Sequence, residues 1–460
     1  MSLVLPKRKM YRYCLADIAK GLFNGMIGNY LLYFFQPTIK SGLPKLLPEN
    51  KIFGFITVMA LITAFGKLID AVSDPLVASL SDKYNSPKGR RMPFMRMAAI
   101  PYAVSVLMIF YAPFENGSIL NAIWVLLFLL IYYVSYTFYF IPKNALVPEI
   151  IEDSKVRVGY YAISTAFFMG SSSFMYTATL FVDMLKNQGL SPLYAWRLVF
   201  LVFAIIGGIC LLLSAFAFDE KKYVKQSNKP HDSVVKSFKI MFKNKSFLNF
   251  TLGDLCSGIS MAFFQASMLY YITVLLNVKE SQSFIVMLVA IAVALCLFPL
   301  VVNISKKHGK KIMLIIAEVV FTIVYCFIYV GDKVVAFFLG KELLVGIMMG
   351  VVVSFPFACV NILPQSVISD IIQEDSINSG INREGMFSAV KTFIEKIASA
   401  IAMMCVSSVL AVGAISGEVV GLTGVKLTGA VAMVFALVSL FFYYRYDERK
   451  VLNTINKKGE

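Results

Sequence analysis

About twelve apolar stretches of roughly 18–25 residues, each long enough to cross some 30 Å of hydrocarbon, fix most of what this chain can become. They run almost from end to end of 460 residues, of which 58% are hydrophobic and only 15% charged. A β-barrel would show short alternating strands instead, so the expected fold is an all-α membrane protein. The spans fall at about 13–37, 52–81, 93–113, 118–142, 158–184 and 196–218, then 246–276, 283–304, 312–331, 342–364, 385–413 and 425–445.

A net charge of +16 raises the question of a nucleic-acid partner. Most of the Lys and Arg residues, however, fall in alternate short loops, a positive-inside distribution that places both termini in the cytoplasm of a cell-membrane protein and predicts no nucleic-acid partner. The seven cysteines sit singly in apolar segments, without CxxC or disulfide spacing. The two histidines, His231 and His308, fall in basic loops. That takes the commonest proton shuttle out of the membrane interior, and with no Ser/His or Cys/His set the expectation is a protein that is not an enzyme and uses no cofactor.

The spans contain charge where hydrocarbon should be. In Lys67-Leu68-Ile69-Asp70-Ala71-Val72-Ser73-Asp74-Pro75, helical spacing stacks Lys67, Asp70 and Asp74 on one face. A carboxylate at the bilayer centre costs about 2.5–3.5 kcal/mol on insertion scales, and a second one a turn away adds repulsion. One Lys cannot neutralise both, so a bound cation or a shared proton has to complete the site. The coupling ion is therefore Na+ or H+, with sodium placed at Asp70 and Asp74. Asp17 has Lys20 at i+3, so substrate contact competes with a local ion pair. Lys391 and Glu395 are spaced to pair with each other, which leaves Lys396, about 140° further round the helix, to face elsewhere. Roles for Asp254, Glu318 and the extra cation Lys143 stay open.

The two halves repeat. Asp17-Ile18-Ala19-Lys20-Gly21 matches Asp254-Leu255-Cys256-Ser257-Gly258, and each Asp has a Tyr sixteen residues on, Tyr33 or Tyr270. Pro87-Lys88-Gly89-Arg90-Arg91-Met92 matches Lys306-Lys307-His308-Gly309-Lys310-Lys311, and Glu149-Ile150-Ile151 matches Asp370-Ile371-Ile372. The order is the same throughout. We therefore expect two pseudo-symmetric six-helix bundles, 1–218 and 246–460, joined by a polar cytoplasmic linker at 219–245, the architecture of a secondary transporter working by alternating access.

These residues resemble the glycoside–pentoside–hexuronide:cation symporters of the major facilitator superfamily over nearly the whole chain. The most specific matches are Asp70-Ala71-Val72-Ser73-Asp74-Pro75, Ser81-Asp82, Gly89-Arg90-Arg91-Met92-Pro93, Ile141-Pro142, and Arg383-Glu384-Gly385-Met386-Phe387 leading to Lys396. The resemblance implies twelve transmembrane helices and cation-coupled symport of a sugar or glycoside. It places the cation at Asp70, Ser73, Asp74 and Thr137, with Lys67 and Lys396 in the coupling charge network. It places substrate near Asp17, Tyr133, Tyr136, Phe140, Asn144 and Lys396. Asp82, Gly89, Arg90 and Arg91 look like the superfamily's cytoplasmic gate motif, with Asp153, Asp375 and Arg383 as its partners. Family members that carry galactosides have an Asp directly before Ile-Pro and a Trp four residues later, where this chain has Phe140 and Asn144. The aromatic run Tyr132–Phe140 suits a stacked sugar ring or an amphipathic lipid, so a lysophospholipid carrier is the alternative. The expected partners are a small-molecule substrate and membrane lipids, and the expected state is a monomer.

Overall fold

The computed structural model describes residues 6–49, 51–52, 56–84, 86–151, 154–223, 244–330, 341–379, 384–414 and 419–456. They form two compact units, one running Met1–Lys229 and the other taking nearly all of Pro230–Glu460. Among the described residues each unit is built on six helical rods.

In the first unit these are α1 (Lys7–Gly25), α2 (Val58–Lys83), α3 (Met92–Phe110), α4 (Ile119–Ile150), α5 (Ser154–Phe174) and α6 (Pro192–Ala215). α1 continues through a π-helical turn, Met26–Tyr30, into Leu31–Phe35, and α5 through Met175–Thr177 into Ala178–Asn187. In the second unit they are α7 (Lys245–Tyr270), α8 (Ser283–His308), α9 (Lys310–Tyr329), α10 (Glu342–Ser379), α11 (Glu384–Leu410) and α12 (Leu422–Arg445). Lys51–Ile52 and Ile56–Thr57 pair as a small antiparallel hairpin before α2, where apolar length alone predicts helix. The Thr57 side chain then accepts a bond from the Ala60 N–H and starts the helix.

Nine described helices are long and apolar enough to cross a membrane by length and composition. α1, α2 and α5 fall outside that set. The first two carry Asp17 and Lys20, or Lys67, Asp70 and Asp74, which lower their apolar character. α4 and α10 run well past the spans expected at 118–142 and 342–364, because each carries its helix into the polar turns holding Glu149 and Asp370.

Two close approaches position the first unit. A Cβ on Gly66 would meet Leu129 at 2.8 Å and Tyr133 at 2.9 Å, so α2 lies tight against α4 only because residue 66 has no side chain. A Cβ on Gly21 would meet Ser171 and the Phe168 carbonyl at 2.0 and 2.4 Å, which presses α1 onto α5 in the same way. The second unit packs an apolar core of Phe250, Leu314, Cys359, Val367, Ile371 and Tyr443 among others.

Candidate functional site

Across the α2–α4 contact, three oxygen-bearing side chains meet beside the Asp70 backbone carbonyl. Ser73 Oγ lies 3.0 Å from Thr137 Oγ1, and Thr137 donates to Asp74 Oδ1 at 3.1 Å. Ser73 Oγ also reaches the Asp70 carbonyl at 3.2 Å. Each hydroxyl has a single proton, so with Thr137 donating to Asp74, Ser73 is the donor to Thr137 or to that carbonyl. Asp70, Ser73 and Thr137 are buried, and Asp74 is half-buried. Pro75 lies inside α2 and offers no N–H to the carbonyl one turn back at Ala71. The Asp74 carboxylate, two hydroxyls and the Asp70 carbonyl make an all-oxygen set, which suits a hard cation. Lys67 holds its ammonium 5.1 Å from the centre of the Tyr133 ring.

A second network occupies the other side of α4. Lys143 donates to both oxygens of Asp17 at 2.9 Å, and Ser164 Oγ from α5 adds a third bond at 2.6 Å. Asp17 is 4% exposed and Lys143 1%. Spacing points to Lys20, at i+3, as a local partner for Asp17; the structure adds an ion pair to Lys143, whose role the sequence leaves open. Spacing along α1 alone could not reveal it, because the partner comes from a helix 126 residues away. Tyr13 fixes the backbone beneath Lys143, its hydroxyl donating to the Lys143 carbonyl at 3.0 Å. Lys20 stands over three rings, Tyr136 at 5.9 Å, Phe140 at 5.4 Å and Phe168 at 5.2 Å. Of the expected substrate residues, Tyr133 and Phe140 are buried, Tyr136 is half-buried and Asn144 is exposed.

Residues 12–448 match the family model described as MFS/sugar transport protein. The chain belongs to that family. Among curated relatives, it is 24% identical over 486 residues to an uncharacterized symporter of Synechocystis sp., covering 86% of this chain and 84% of the relative. It is 22% identical over 442 residues to the lactose permease of Lactobacillus helveticus, covering 93% of this chain and 66% of the permease. A crystal structure of the nucleoside transporter NupG superposes with a TM-score of 0.65 at 13% identity, covering 96% of this chain and 98% of the other, a likeness of fold. The chain is thus a multi-pass transporter of the major facilitator superfamily and not an enzyme.

In the second unit of this MFS transporter, Asp254, the repeat partner of Asp17, pairs with Lys391 at 3.2 Å, and Lys391 also pairs with Glu395 one turn on. The local Lys391–Glu395 pair expected from spacing is present, with Asp254 added to it. Lys396 is half-buried on α11. Glu318, fully buried on α9, accepts from the Ser257 hydroxyl of α7.

At the basic end of the first unit, Gly89 sits at φ +106°, a left-handed conformation suited to glycine. The turn it makes points three N–H groups at one carboxylate: Arg90 N to Glu220 Oε1 at 2.9 Å, then Arg91 N and Met92 N to Oε2 at 2.9 and 2.8 Å. A helix N-terminus carries partial positive charge, and here a glutamate from beyond α6 meets it. The guanidinium groups of Arg90 and Arg91 go to Glu149 at 2.8 and 3.1 Å. The second unit repeats the device: Lys310 N and Lys311 N donate to Glu448 at 2.7 and 3.1 Å beside Gly309, and Lys310 Nζ pairs with Asp370 at 2.6 Å. The sequence reading misses Glu220 and Glu448, although Asp219-Glu220-Lys221-Lys222 and Asp447-Glu448-Arg449-Lys450 repeat one another. A boundary at 218 puts Glu220 in the linker, whereas Glu220 is buried in the first unit. Of the other expected gate residues, Asp375 is half-buried at the end of α10. Asp153 and Arg383 lie outside the described residues, as does the side chain of Asp82.

Proposed function

We propose that this transporter couples the inward flow of Na+ or H+ to uptake of a sugar or glycoside across the cell membrane, with both termini cytoplasmic. The observation that carries this reading is the Ser73–Thr137–Asp74 chain beside Asp70. It gathers the Ser73, Thr137 and Asp74 side-chain oxygens and the Asp70 carbonyl on two helices. A monovalent cation there relieves the repulsion between the two carboxylates, and the hydroxyls turn their lone pairs toward it. Because α4 carries Thr137 toward that site and Tyr136 and Phe140 toward α1, ordering one face of α4 biases the other. By linkage, cation and sugar then tighten one another by the same factor.

Lys396 is proposed as the second half's contribution to the charge network, and Arg90 and Arg91 as part of the cytoplasmic gate. Lysophospholipid transport, the alternative that the aromatic run left open, is not favoured by a family match described as sugar transport. The test is uptake into proteoliposomes under an imposed sodium or proton gradient. Asp70→Asn and Asp74→Asn should abolish accumulation against a sugar gradient and leave downhill exchange. Accumulation by both variants would sink the coupling assignment.

A further inference from the structure

Glu318 lies more than two turns inside α9 and is fully buried. The Ser257 hydroxyl of α7 donates to its Oε1, while Oε2 is sealed from solvent and has no hydrogen-bond partner among the described residues. Ser439 of α12, the other hydroxyl close to it, gives its proton to the Gly253 carbonyl at 2.9 Å. Tyr443 of α12 is close as well, yet its hydroxyl is also buried and unpartnered, so the two orphaned oxygens do not bond each other.

The titratable groups that act on Glu318 are Asp254 and Cys256 of α7, Tyr443 of α12 and Tyr325 of α9 itself. Among the described residues no lysine or arginine joins them, and Lys391 of α11 is held by Asp254 and Glu395. The other charges on the helices against α9 lie toward helix ends, Lys306, Lys307 and His308 on α8 and Lys426 and Arg445 on α12. α10 carries Glu342 at its start and Asp370, Glu374 and Asp375 toward its end, and lends Cys359 to the apolar core that Leu314 and Ala317 also enter. An ionised Glu318 would therefore have one hydroxyl bond and an anion as neighbour, which leaves a buried charge uncompensated. A proton on Oε2 removes that charge.

We propose that Glu318 is a proton-binding site of the second unit, distinct from the cation site on α2 and α4, and that it holds one proton on Oε2 as a neutral carboxyl at neutral pH. The bound proton keeps the contact of α7, α9 and α12 uncharged and leaves Lys391 to Asp254 and Glu395. Its loss places a second anion beside Asp254, so alkaline conditions weaken this contact.

The test is infrared difference spectroscopy of the full-length protein at neutral pH. Wild type minus Glu318→Gln should show the carbonyl band of a protonated carboxylic acid. Ser257→Ala removes the bond to Oε1 and should move that band to higher frequency, which assigns it even if the glutamine variant does not fold. Tyr443→Phe should leave the band in place, because that hydroxyl is not a partner of the carboxyl. Melting curves give a second readout. Above about pH 4.3 the unfolded chain ionises this side chain while the folded one keeps its proton. Raising the pH from about 5 to about 9 should therefore raise the melting temperature of Glu318→Gln relative to wild type. A wild type without a carboxylic-acid band, a band that neither Glu318→Gln nor Ser257→Ala alters, or a melting difference that ignores pH each overturns the proposal.

Discussion

At the scale of single residues, Thr137 shows why a hydroxyl matters inside hydrocarbon. It touches Ser73 and Asp74 at once, so Thr137→Val keeps the shape and removes both contacts. A hydrogen bond to a charged group contributes about 1.5–3 kcal/mol, so the variant should weaken cation affinity by about 10- to 100-fold while the protein stays folded. Cation titration of the purified protein by calorimetry checks it. The Asp17–Lys143 pair makes a different prediction. Breaking a buried pair by removing one partner costs about 3–5 kcal/mol, since the other charge is stranded. Lys143→Met alone should therefore lower thermal stability markedly, and Lys143→Met with Asp17→Asn should recover much of the loss. If the double variant melts below the single one, the pair is not what holds Asp17. The α2 stripe could be read from sequence because helical spacing is local. Asp17–Lys143 could not, because nothing in α1 says which distant helix supplies the cation.

At the scale of helices, α4 is the shared wall. Tyr133 and Thr137 are one turn apart and face α2, while Tyr136, Phe140 and Lys143, at the next helical spacing, meet residues of α1. Gly66 sets the distance on the α2 side. Gly66→Val should force α2 away from Leu129 and Tyr133 at an overpacking cost of about 1–3 kcal/mol and disturb cation binding before sugar binding. Separate titrations of the two ligands read this directly. Helix existence was legible from apolar length, and helix ends were not. α4 and α10 run on through turns held by ion pairs, Glu149 with Arg90 and Arg91 in the last turn of α4 and Asp370 with Lys310 in the C-terminal third of α10, which hydropathy does not register.

At the scale of the whole molecule, the repeat visible in the sequence recurs as paired devices. Each unit has a first-helix Asp bonded to a lysine, and each has a glycine turn whose N–H groups hold a glutamate. The lysines differ in origin, Lys143 on α4 and Lys391 on α11, so the duplication has kept the acid and moved its partner. Topology has its own test. Alkaline phosphatase fused at Asn116 should be active outside the cell, and the same enzyme fused after residue 456 should be inactive. Activity at both sites would contradict the orientation read from the Lys and Arg distribution.

The glutamate that meets each glycine turn comes from the chain just beyond that unit's last long helix, Glu220 after α6 and Glu448 after α12. During synthesis the third rod of a unit is therefore made long before the residue that satisfies its first turn. A nascent bundle has its starting N–H groups uncovered until its final segment leaves the ribosome. For anyone shortening the chain, the boundary that matters lies beyond Glu448 and not at the end of the last membrane helix.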